Sequence, residues 1–577
     1  MNAVNDIGLL NLRWAQALCD GFAAAGLRDL VLSPGSRSTP LALAFLRQPL
    51  IRCHVVLDER SAAFFALGLA KASGRPAALL CTSGSAPANW FPAVIEADQG
   101  ATPLILLSAD RPPEAQGWGA NQTVDQHRLF GEHVRAFHAP GAPLENFSAD
   151  WLHRLAARAV AESGRPLAGP VHLNLPFREP LLPAGEPESW PLAARPEPIA
   201  LATPRLLPDA QLIADLARQL SKAPGAIVCG GAGYPAAYPA SFADALTALA
   251  EQLDCPILAE PLSNLRFGAH ARSHLCVRYE SFLRHPGFVA AQRPQWLLRF
   301  GTFPVTRTLQ NWLAAATTAQ HIVVSPDPRW PDPLHATSTL LHADPGEVCT
   351  ALRDAAPLAA TADWRSAFKR AESAASLAAE AFRHAENFEG ALIPALLAAL
   401  PSGHRLFCGN SMAIRDLDAF SGSGAKPLTL FGNRGASGID GNVSTAAGIA
   451  VGGPTVALLG DLSCAHDIGG LATLRGLNLV LVVINNGGGG IFEYLPQVAL
   501  PEFERAWLTP STIDFSHAAQ AWGIAHRRVD TLASFSAALA AALATGGPQL
   551  IEVIVDRGQS VAQHRAYWNT VSTKIGS

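Results

Sequence analysis

Short runs of apolar residues alternate with amphipathic stretches along most of the chain. Residues 454–459 and 477–484 are two such runs, and their length and composition are typical of strands buried on both faces of a parallel sheet. Residues 466–475, which lie between them, are expected to be helical. Together these segments predict one βαβ crossover, which brings the ends of both strands to the same edge of a sheet.

Similar runs divide the chain into three pieces. The predicted strands are residues 29–33, 77–81 and 103–108 in the first piece, 225–229, 256–259, 296–299 and 321–325 in the second, and 405–408, 455–459, 480–484 and 549–555 in the third. A Pro-rich stretch over residues 180–208 is expected to be a linker, and a second irregular region, about 330–390, contains a predicted helix at 364–384. We therefore predict an α/β protein with three open parallel-sheet domains, over residues 1–185, 205–350 and 385–577.

Composition narrows the classes of protein that remain. At 577 residues with 49% hydrophobic and 16% charged residues, the chain is too long for one core and too apolar to be disordered. Its net charge of −4 gives no reason to expect nucleic acid or an acidic membrane. No apolar run reaches the ~18 residues that span a bilayer, and the first residues lack the basic start of a signal peptide. Nine scattered cysteines without a C-x-x-C pair indicate neither zinc nor disulfides, so we expect a cytoplasmic protein.

Polar residues follow both strands of the predicted crossover. Asp461 and Ser463 come after the first strand, and Asn485, Asn486 and Gly488 come after the second, about 25 residues later. Carboxylate, amide and carbonyl oxygens suit Mg²⁺, and glycines let a backbone approach a diphosphate. Either half alone is more often an ordinary turn. The pair at this spacing resembles the motif of thiamine-diphosphate (ThDP) enzymes, a Gly-Asp followed at a comparable distance by Asn-Asn.

ThDP chemistry needs a carboxylate beside the aminopyrimidine ring of the cofactor, where it drives the ring to its imino tautomer. Glu59 is the candidate, because it closes an apolar run and opens an Ala-rich helix expected over residues 61–72. Taken alone, a glutamate at this position more often has only a structural role, a favourable interaction with the dipole of the helix that it begins.

Three loops in the first piece indicate an anionic substrate. Residues 33–39 and 110–114 follow predicted strands and carry Arg37 and Arg111, and residues 119–122 come shortly after. Ligands bind at the carboxyl ends of parallel strands, and guanidinium groups match carboxylates. Taken singly, each arginine is more often a surface charge. In the middle piece, residues 229–233 (CGGAG) lack the spacing of a nucleotide-binding loop, and a tight strand-to-helix turn is the better interpretation.

Several segments together resemble one family, MenD, the 2-succinyl-5-enolpyruvyl-6-hydroxy-3-cyclohexene-1-carboxylate synthases of menaquinone biosynthesis. The match is dense in the first and third pieces and thin in the middle. The matching segments are SPGSRSTP at residues 33–40, DER at 58–60, TSGSA at 82–86, ADRPP at 109–113, GANQ at 119–122, GNS at 409–411, NRGASGID at 433–440, GDLS at 460–463 and NNGGGGIF at 485–492.

The resemblance implies a fold, a cofactor and a reaction. The three domains would be a pyrimidine-binding, a central and a diphosphate-binding domain, with ThDP and Mg²⁺ (or Mn²⁺) as cofactors. The enzyme would be a transferase that decarboxylates 2-oxoglutarate and adds the resulting succinyl carbanion to isochorismate by 1,4-addition. The assembly would be a homodimer or a dimer of dimers with active sites shared between chains.

The resemblance also assigns roles to particular residues. Glu59 would be the activating carboxylate, and Asp461, Asn486 and the Gly488 carbonyl would hold the metal. The remaining cofactor contacts would be Thr82, Ser83, Gly84, Asn410, Ser411, Ile439, Leu462, Ser463, Ile491 and Phe492. Isochorismate would face Ser36, Arg37, Arg111 and Gln122, and 2-oxoglutarate would face Ser411, Arg415 and Arg434.

The chain departs from the family pattern in its middle piece. Relatives carry a Lys-Arg pair there that contacts a substrate carboxylate, whereas this chain has Thr306 followed by Arg307. Arg307 therefore remains a weaker candidate for substrate binding. Two other functions stay open on the sequence alone. One is a plain ThDP 2-oxoacid decarboxylase or acetolactate-type carboligase, and the other is an inactive binding partner with the same fold.

Overall fold

The computed structural model describes residues 6–187, 190, 197, 199–202, 204–357 and 362–576. The chain forms two compact units. The first comprises the described part of Met1–Thr203 with Asn433–Gly452 and Asp467–Arg475, and the second comprises Pro204–Gly432, Gly453–His466 and the described part of Gly476–Ser577. Within the described residues, no helix has the length and apolar character needed to cross a membrane.

The first unit contains a six-stranded, entirely parallel sheet. Its elements are α1 Ile7–Ala24, β1 Asp29–Leu32, α2 Thr39–Leu46, β2 Arg52–Val55, α3 Glu59–Ser73, β3 Ala77–Cys81, α4 Phe91–Gln99, β4 Leu104–Asp110, β5 Ala136–His138, α5 Ala149–Gly164 and β6 Pro170–Pro176. The strand order is β2-β1-β3-β4-β6-β5. The central strands β3 and β4 are buried along their whole length and the edge strand β2 is not, as expected where helices cover both faces of a sheet.

The second unit contains two further parallel sheets. The elements of the first of these are α6 Ala210–Leu220, β7 Gly225–Cys229, α7 Phe242–Gln252, β8 Ile257–Ala259, β9 Leu275–Cys276, α8 Tyr279–Phe282, α9 Pro286–Ala291, β10 Trp296–Phe300, α10 Arg307–Ala315, β11 Gln320–Val324, β12 Thr337–Leu341, α11 Pro345–Ala355 and α12 Ala362–Ala381. The strand order is β12-β11-β10-β7-β8-β9. The helix predicted at 364–384 is confirmed as α12.

The C-terminal part of the chain builds the remaining sheet. Its elements are α13 Glu389–Ala399, β13 Arg405–Cys408, α14 Met412–Phe420, β14 Thr429–Gly432, α15 Asn442–Ala450, β15 Thr455–Gly460, α16 Asp461–His466, β16 Leu479–Asn485, α17 Phe515–Ala521, β17 Ala525–Val529, α18 Leu532–Thr545, β18 Gln549–Ile554 and α19 Arg557–Gly576. The strand order is β14-β13-β15-β16-β18-β17. The predicted α/β class with three open parallel sheets is thus confirmed.

The crossover between β15 and β16 differs in detail from the sequence prediction. The two strands are parallel neighbours, as expected, and Gly460 pairs with Ile484. The helical stretch expected over 466–475 is present as the 3₁₀ helix Ile468–Leu474, and a short α-helix precedes it at Asp461–His466. Gly469 and Gly470 interrupt this stretch, and glycine lowers the stability of an α-helix.

The tight strand-to-helix turn predicted after β7 is wrong. The next helix, α7, begins only at Phe242. Pro235 and Pro239 lie in the interval, and Pro235–Ala237 forms a single 3₁₀ turn. Proline removes a backbone donor and disfavours helical geometry in the preceding residue, so the chain cannot enter a helix directly after the strand.

The predicted linker falls between β6 and α6. Residues 188–189, 191–196, 198 and 203 of this interval lie outside the described residues. The predicted domain boundaries therefore stay a prediction.

Two glycines lie where α3 and α15 cross in the first unit. A Cβ on Gly68 would lie 2.1 Å from the Thr445 carbonyl oxygen, and a Cβ on Gly448 would lie 2.0 Å from the Phe65 carbonyl oxygen. Real side chains do not approach a backbone this closely, so only glycine permits this distance between the helices.

We expect Gly448→Ala to lower the free energy of unfolding by about 1–3 kcal/mol, because α3 and α15 must move apart to admit the methyl group. The melting temperature checks this. Gly164→Ala is the control, since a Cβ there meets nothing within 4 Å and Gly164 ends a helix. If both variants lowered the melting temperature equally, the close crossing of α3 and α15 would not be what requires glycine at residue 448.

Candidate active site

The predicted site residues fall into two groups, one in each unit. In the second unit, Asp461 directly follows β15 and begins α16. Its side chain is buried, and burial raises the pKa of the carboxyl group to about 6, although the Leu462 amide, which donates to Oδ1 at 2.8 Å, acts against this. Oδ2 is also buried and accepts no hydrogen bond. A buried carboxylate oxygen in this state needs a proton or a cation.

The turn after β16 supplies a second oxygen of the same kind. Asn486 Oδ1 is buried without a hydrogen-bond partner. Gly488 has a φ of +147°, and a Cβ there would lie 2.4 Å from the Leu508 carbonyl oxygen, so the turn requires glycine at this position. The Gly488 carbonyl accepts one bond, from the Gly490 amide at 2.9 Å, and keeps a second lone pair.

These oxygens fit a hard divalent cation. The described residues contain no cluster of three His, Cys, Asp or Glu side chains that could hold a metal. The candidate ligand set is instead a carboxylate, an amide oxygen and a carbonyl, which is the chemistry Mg²⁺ accepts when it shares its shell with phosphates. The assignment of the metal to Asp461, Asn486 and Gly488 stays a prediction, which the buried, unpartnered oxygens of Asp461 and Asn486 support.

A cavity of about 970 Å³ opens in the same unit. Three predicted residues line it, Arg307, Arg415 and Ile491. Thr306 lines it too, and its hydroxyl is buried, has no hydrogen-bond partner and does not cap α10. Further lining residues, which the sequence analysis did not single out, are Glu280, Arg284, Glu493, Tyr494, His564, Arg565 and Trp568.

The wall of this cavity formed by α14 has an unusual backbone. Ser411, which precedes the helix, has a φ of +66°, a region that side-chain-bearing residues seldom occupy and that is enriched at functional sites. Arg415 Nη1 donates to the Ser411 carbonyl at 2.6 Å, which holds the guanidinium against the start of its own helix. Asn410 is buried, and Phe492 lies in the 3₁₀ helix Gly490–Tyr494.

The C-terminal helix α19 contributes a buried ionic contact to the cavity. His564 Nε2 lies 3.1 Å from Asp416 Oδ1. Burial disfavours the charged imidazole, but the bond to Asp416 outweighs it and raises the pKa of His564 to about 9. Trp568 lies on the same helix, and the Arg284 guanidinium, from the segment between α8 and α9, lies 3.7 Å from the centre of its ring. No local motif marks these residues, and only the fold brings α19 to α14.

In the first unit, Glu59 is the first residue of α3, and the Asp58 side chain caps the helix by accepting the Arg60 amide. Glu59 is half-buried. Its carboxylate is close enough to the Cys81 thiol to raise that group's pKa, after the larger effect of burial. Glu59 therefore lies near the carboxyl end of β3, where the predicted contact residues Thr82, Ser83 and Gly84 follow.

The loops of the first unit that were predicted to bind an anion contact one another. Gln122 Nε2 donates to the Ser83 carbonyl at 2.9 Å, Ser83 Oγ donates to the Gln122 carbonyl at 3.0 Å, and the Arg111 guanidinium donates to Ser83 Oγ. Burial lowers the pKa of Arg111, and the nearby Arg37 lowers it further. Two guanidinium groups are thus held near each other, an arrangement that favours an anion between them.

Arg37 and Ser36 differ in their surroundings. The Arg37 side chain is buried and donates to the Phe177 carbonyl at 3.0 Å and to Glu179 at 2.7 Å, while its Nε has no partner. Ser36 is exposed. Glu179 therefore orients Arg37 but already neutralises part of its charge.

Sequence reasoning missed Gln126, which supports this loop. The Gln126 side chain accepts the Gly84 amide at 2.9 Å and donates to Asn174 Oδ1 at 2.9 Å. Asn174 in turn donates to Asp110 at 2.8 Å. Gln126 is 42 and 48 residues from these partners and belongs to no motif, so the sequence offers no signal for it.

The last predicted residues of the first unit are Arg434 and Ile439, on the segment before α15. Arg434 is half-buried, whereas Ile439 is 37% exposed in the single chain. A branched apolar side chain exposed among polar loops is available to contact a ligand.

Comparison with known proteins defines the class. The N-terminal TPP binding domain of thiamine pyrophosphate enzymes matches residues 12–129, and the C-terminal TPP binding domain matches residues 421–553. A solved structure of benzoylformate decarboxylase from Polynucleobacter necessarius has the same fold, with a TM-score of 0.71 at 17% identity over 94% of this chain and 99% of that one. The chain is therefore a protein of the thiamine-diphosphate enzyme class.

Closer relatives define the family. A 2-succinyl-5-enolpyruvyl-6-hydroxy-3-cyclohexene-1-carboxylate synthase from Dechloromonas aromatica (strain RCB) is 51% identical over 95% of this chain and 99% of its own length. The synthase of the same name from Geobacillus kaustophilus (strain HTA426) is 41% identical over 97% of this chain and 98% of its own length. The chain belongs to the family of these synthases.

Proposed function

We propose that this chain is a ThDP-dependent 2-succinyl-5-enolpyruvyl-6-hydroxy-3-cyclohexene-1-carboxylate synthase of menaquinone biosynthesis. It would decarboxylate 2-oxoglutarate and join the remaining four-carbon unit to isochorismate by 1,4-addition. One observation carries the proposal: the two unsatisfied buried oxygens of Asp461 and Asn486 occur in the same unit as a cavity lined by Arg307 and Arg415. The names of the relatives support it.

We propose that Asp461, Asn486 and the Gly488 carbonyl would hold Mg²⁺ or Mn²⁺, which would supply positive charge to balance the cofactor diphosphate. ThDP, when bound, supplies the electron sink for loss of CO₂ and for formation of the new carbon–carbon bond. The residues that would contact it are Leu462, Ser463, Asn410, Ser411, Ile491, Phe492, Thr82, Ser83, Gly84 and Ile439. Glu59 would hold a proton at the pyrimidine ring nitrogen.

Charge and geometry support the assignment of the substrate residues. Arg415 and Arg434, with Ser411, would bind the two carboxylates of 2-oxoglutarate, because a guanidinium offers two parallel donors to a carboxylate. Isochorismate, also an anion, would bind at Ser36, Arg37, Arg111 and Gln122. We propose Arg307 as a further contact, beside the unpartnered Thr306 hydroxyl that replaces the lysine of relatives.

The finer features of the assembly are proposals as well. We propose a cytoplasmic homodimer or dimer of dimers with active sites shared between chains, since closed two-fold symmetry is the commonest oligomer. The three domains would be the pyrimidine-binding, central and diphosphate-binding domains over residues 1–185, 205–350 and 385–577.

A product assay tests the proposed function. Enzyme with ThDP, Mg²⁺, 2-oxoglutarate and isochorismate should form a product with the mass of both substrates joined less CO₂, detected by mass spectrometry. Without isochorismate, CO₂ release should be slow. Release at full rate without isochorismate would instead identify a plain 2-oxoacid decarboxylase.

Asp461→Ala should weaken ThDP binding by more than about 100-fold at ordinary Mg²⁺, because even groups that only orient a metal ligand are worth up to that factor. Calorimetric titration measures the affinity. Asp467→Asn is the control: Asp467 is equally buried, but its carboxylate is satisfied by the Ser444 amide at 2.7 Å. Unchanged affinity in Asp461→Ala would remove the metal assignment.

Co-expression tests the shared sites. Glu59→Gln should reduce activity by about 10²–10⁴-fold and Asp461→Ala should abolish it. In a dimer with sites shared between chains, the mixed species has one doubly altered site and one intact site, so activity should partly return. No recovery in proven mixed dimers would mean that each chain builds its own site.

A further inference from the structure

A buried ion pair in the first unit contacts a segment that the function above depends on. Lys71 on α3 and Glu96 on α4 are 1% and 3% exposed, and Lys71 Nζ lies 3.3 Å from Glu96 Oε1. Lys71 also donates to Asn433 Oδ1 at 2.9 Å. Isolated buried ion pairs add little to stability, because desolvation offsets their attraction. Such a pair therefore calls for another explanation.

Glu96 binds backbone amides as well as the lysine. Its Oε1 accepts the Gly435 amide at 2.9 Å, and its Oε2 accepts the Ala436 amide at 2.7 Å and the Ser437 amide at 3.3 Å. Three consecutive amides thus converge on one carboxylate. Both oxygens are used, so the carboxylate defines the position and the direction of this stretch of backbone.

The backbone here has little freedom to adopt another arrangement. A Cβ on Gly435 would lie 2.4 Å from the Glu96 carbonyl oxygen and 2.5 Å from the Gly100 amide nitrogen. Ser437 has a φ of +63°, which costs free energy unless its surroundings impose it. Asn433 is anchored a second time, since its Nδ2 donates to Thr445 Oγ1 at 3.0 Å.

Arg434 lies between these anchors. Asn433 before it is held by Lys71, and Gly435 after it is held by Glu96. We propose that Lys71 and Glu96 are positioning residues that set the place from which the Arg434 guanidinium reaches the donor carboxylate. This inference rests on the proposed function, in which Arg434 binds 2-oxoglutarate. Errors of about 1 Å in such a group cost up to about 100-fold in rate.

The first test reads the backbone directly and does not depend on activity. In Glu96→Gln the amide has one acceptor oxygen where the carboxylate has two, so its NH₂ group faces at least one backbone donor. Hydrogen exchange by mass spectrometry should then be at least about tenfold faster in the peptide containing residues 433–437. Lys71→Met, which keeps the side-chain volume, is a second variant and should show the same change.

Asp98→Asn is the matched control. Asp98 lies on the same helix, α4, and its side chain bonds Arg135 at 2.5 Å, His133 and Gln99, whereas Glu96 bonds the amides of residues 435–437. It should lose stability without faster exchange in that peptide. Unchanged exchange in both Glu96→Gln and Lys71→Met, or equal acceleration in Asp98→Asn, would overturn the inference.

The second test is kinetic. Glu96→Gln should raise the KM for 2-oxoglutarate about tenfold with little change in ThDP affinity, and Asp98→Asn should not. In the double variant Glu96→Gln/Arg434→Ala, the KM for 2-oxoglutarate should be no higher than in Arg434→Ala alone, because the Glu96 carboxylate acts through the arginine. Additive effects would overturn the inference. If Arg434→Ala leaves the KM unchanged, the donor assignment of the proposed function fails instead, and the exchange experiment still decides whether Glu96 holds the segment.

Discussion

The buried carboxylate of Asp461 is the group on which the proposed metal site of the second unit depends. One of its oxygens has no hydrogen-bond partner, and burial raises its pKa to about 6, because the charged form is poorly solvated there. The adjacent turn adds a second unsatisfied oxygen, from Asn486, and needs glycine at residue 488 to fold at all. Parallel pairing of β15 and β16 brings these groups to one edge. The divalent cation proposed for this site would offset the cost of leaving these oxygens unsatisfied.

The first unit contains a buried charge of the opposite kind, which is satisfied within the protein. The Glu96 carboxylate accepts hydrogen bonds from Lys71 and from three backbone amides. Saturated groups of this kind bind no ligand themselves but hold neighbouring groups in place. The glycine crossing of α3 and α15 has the same consequence, since it fixes the helix that begins at Glu59 against the helix that follows Ile439.

The arginines of the candidate site differ in how firmly their guanidinium groups are anchored. Arg415 is held against the first turn of its own helix, and Arg111 is held by Ser83. Arg307 begins a helix beside an unpartnered threonine hydroxyl. A guanidinium that is oriented before the substrate arrives loses less entropy on binding, so these differences in anchoring bear on affinity as much as the charges do.

Much of this protein could be predicted from its sequence, because the controlling signals are local. Apolar runs mark buried parallel strands, and the Gly-Asp and Asn-Asn pairs lie directly after two of them, so both the fold class and the position of Asp461 and Asn486 follow from neighbouring residues. The helical stretch of the crossover was predicted as well, but its 3₁₀ form and the long turn after β7 were not, because several weak local preferences compete there.

Other features depend on contacts between residues far apart in the chain. Lys71, Glu96 and Asn433 form one cluster only because α3, α4 and the segment before α15 pack together. Packing between distant segments likewise places Gln126 beside the Gly84 amide, His564 beside Asp416 and Thr306 in the wall of the cavity. The sequence pattern around a polar side chain does not indicate its hydrogen-bond partner. Whether its hydrogen-bonding groups are satisfied depends on the residues that pack beside it. The sequence by itself therefore determined the fold class and the residues available for chemistry, and only the tertiary structure decided which of them are anchored and which are left unsatisfied.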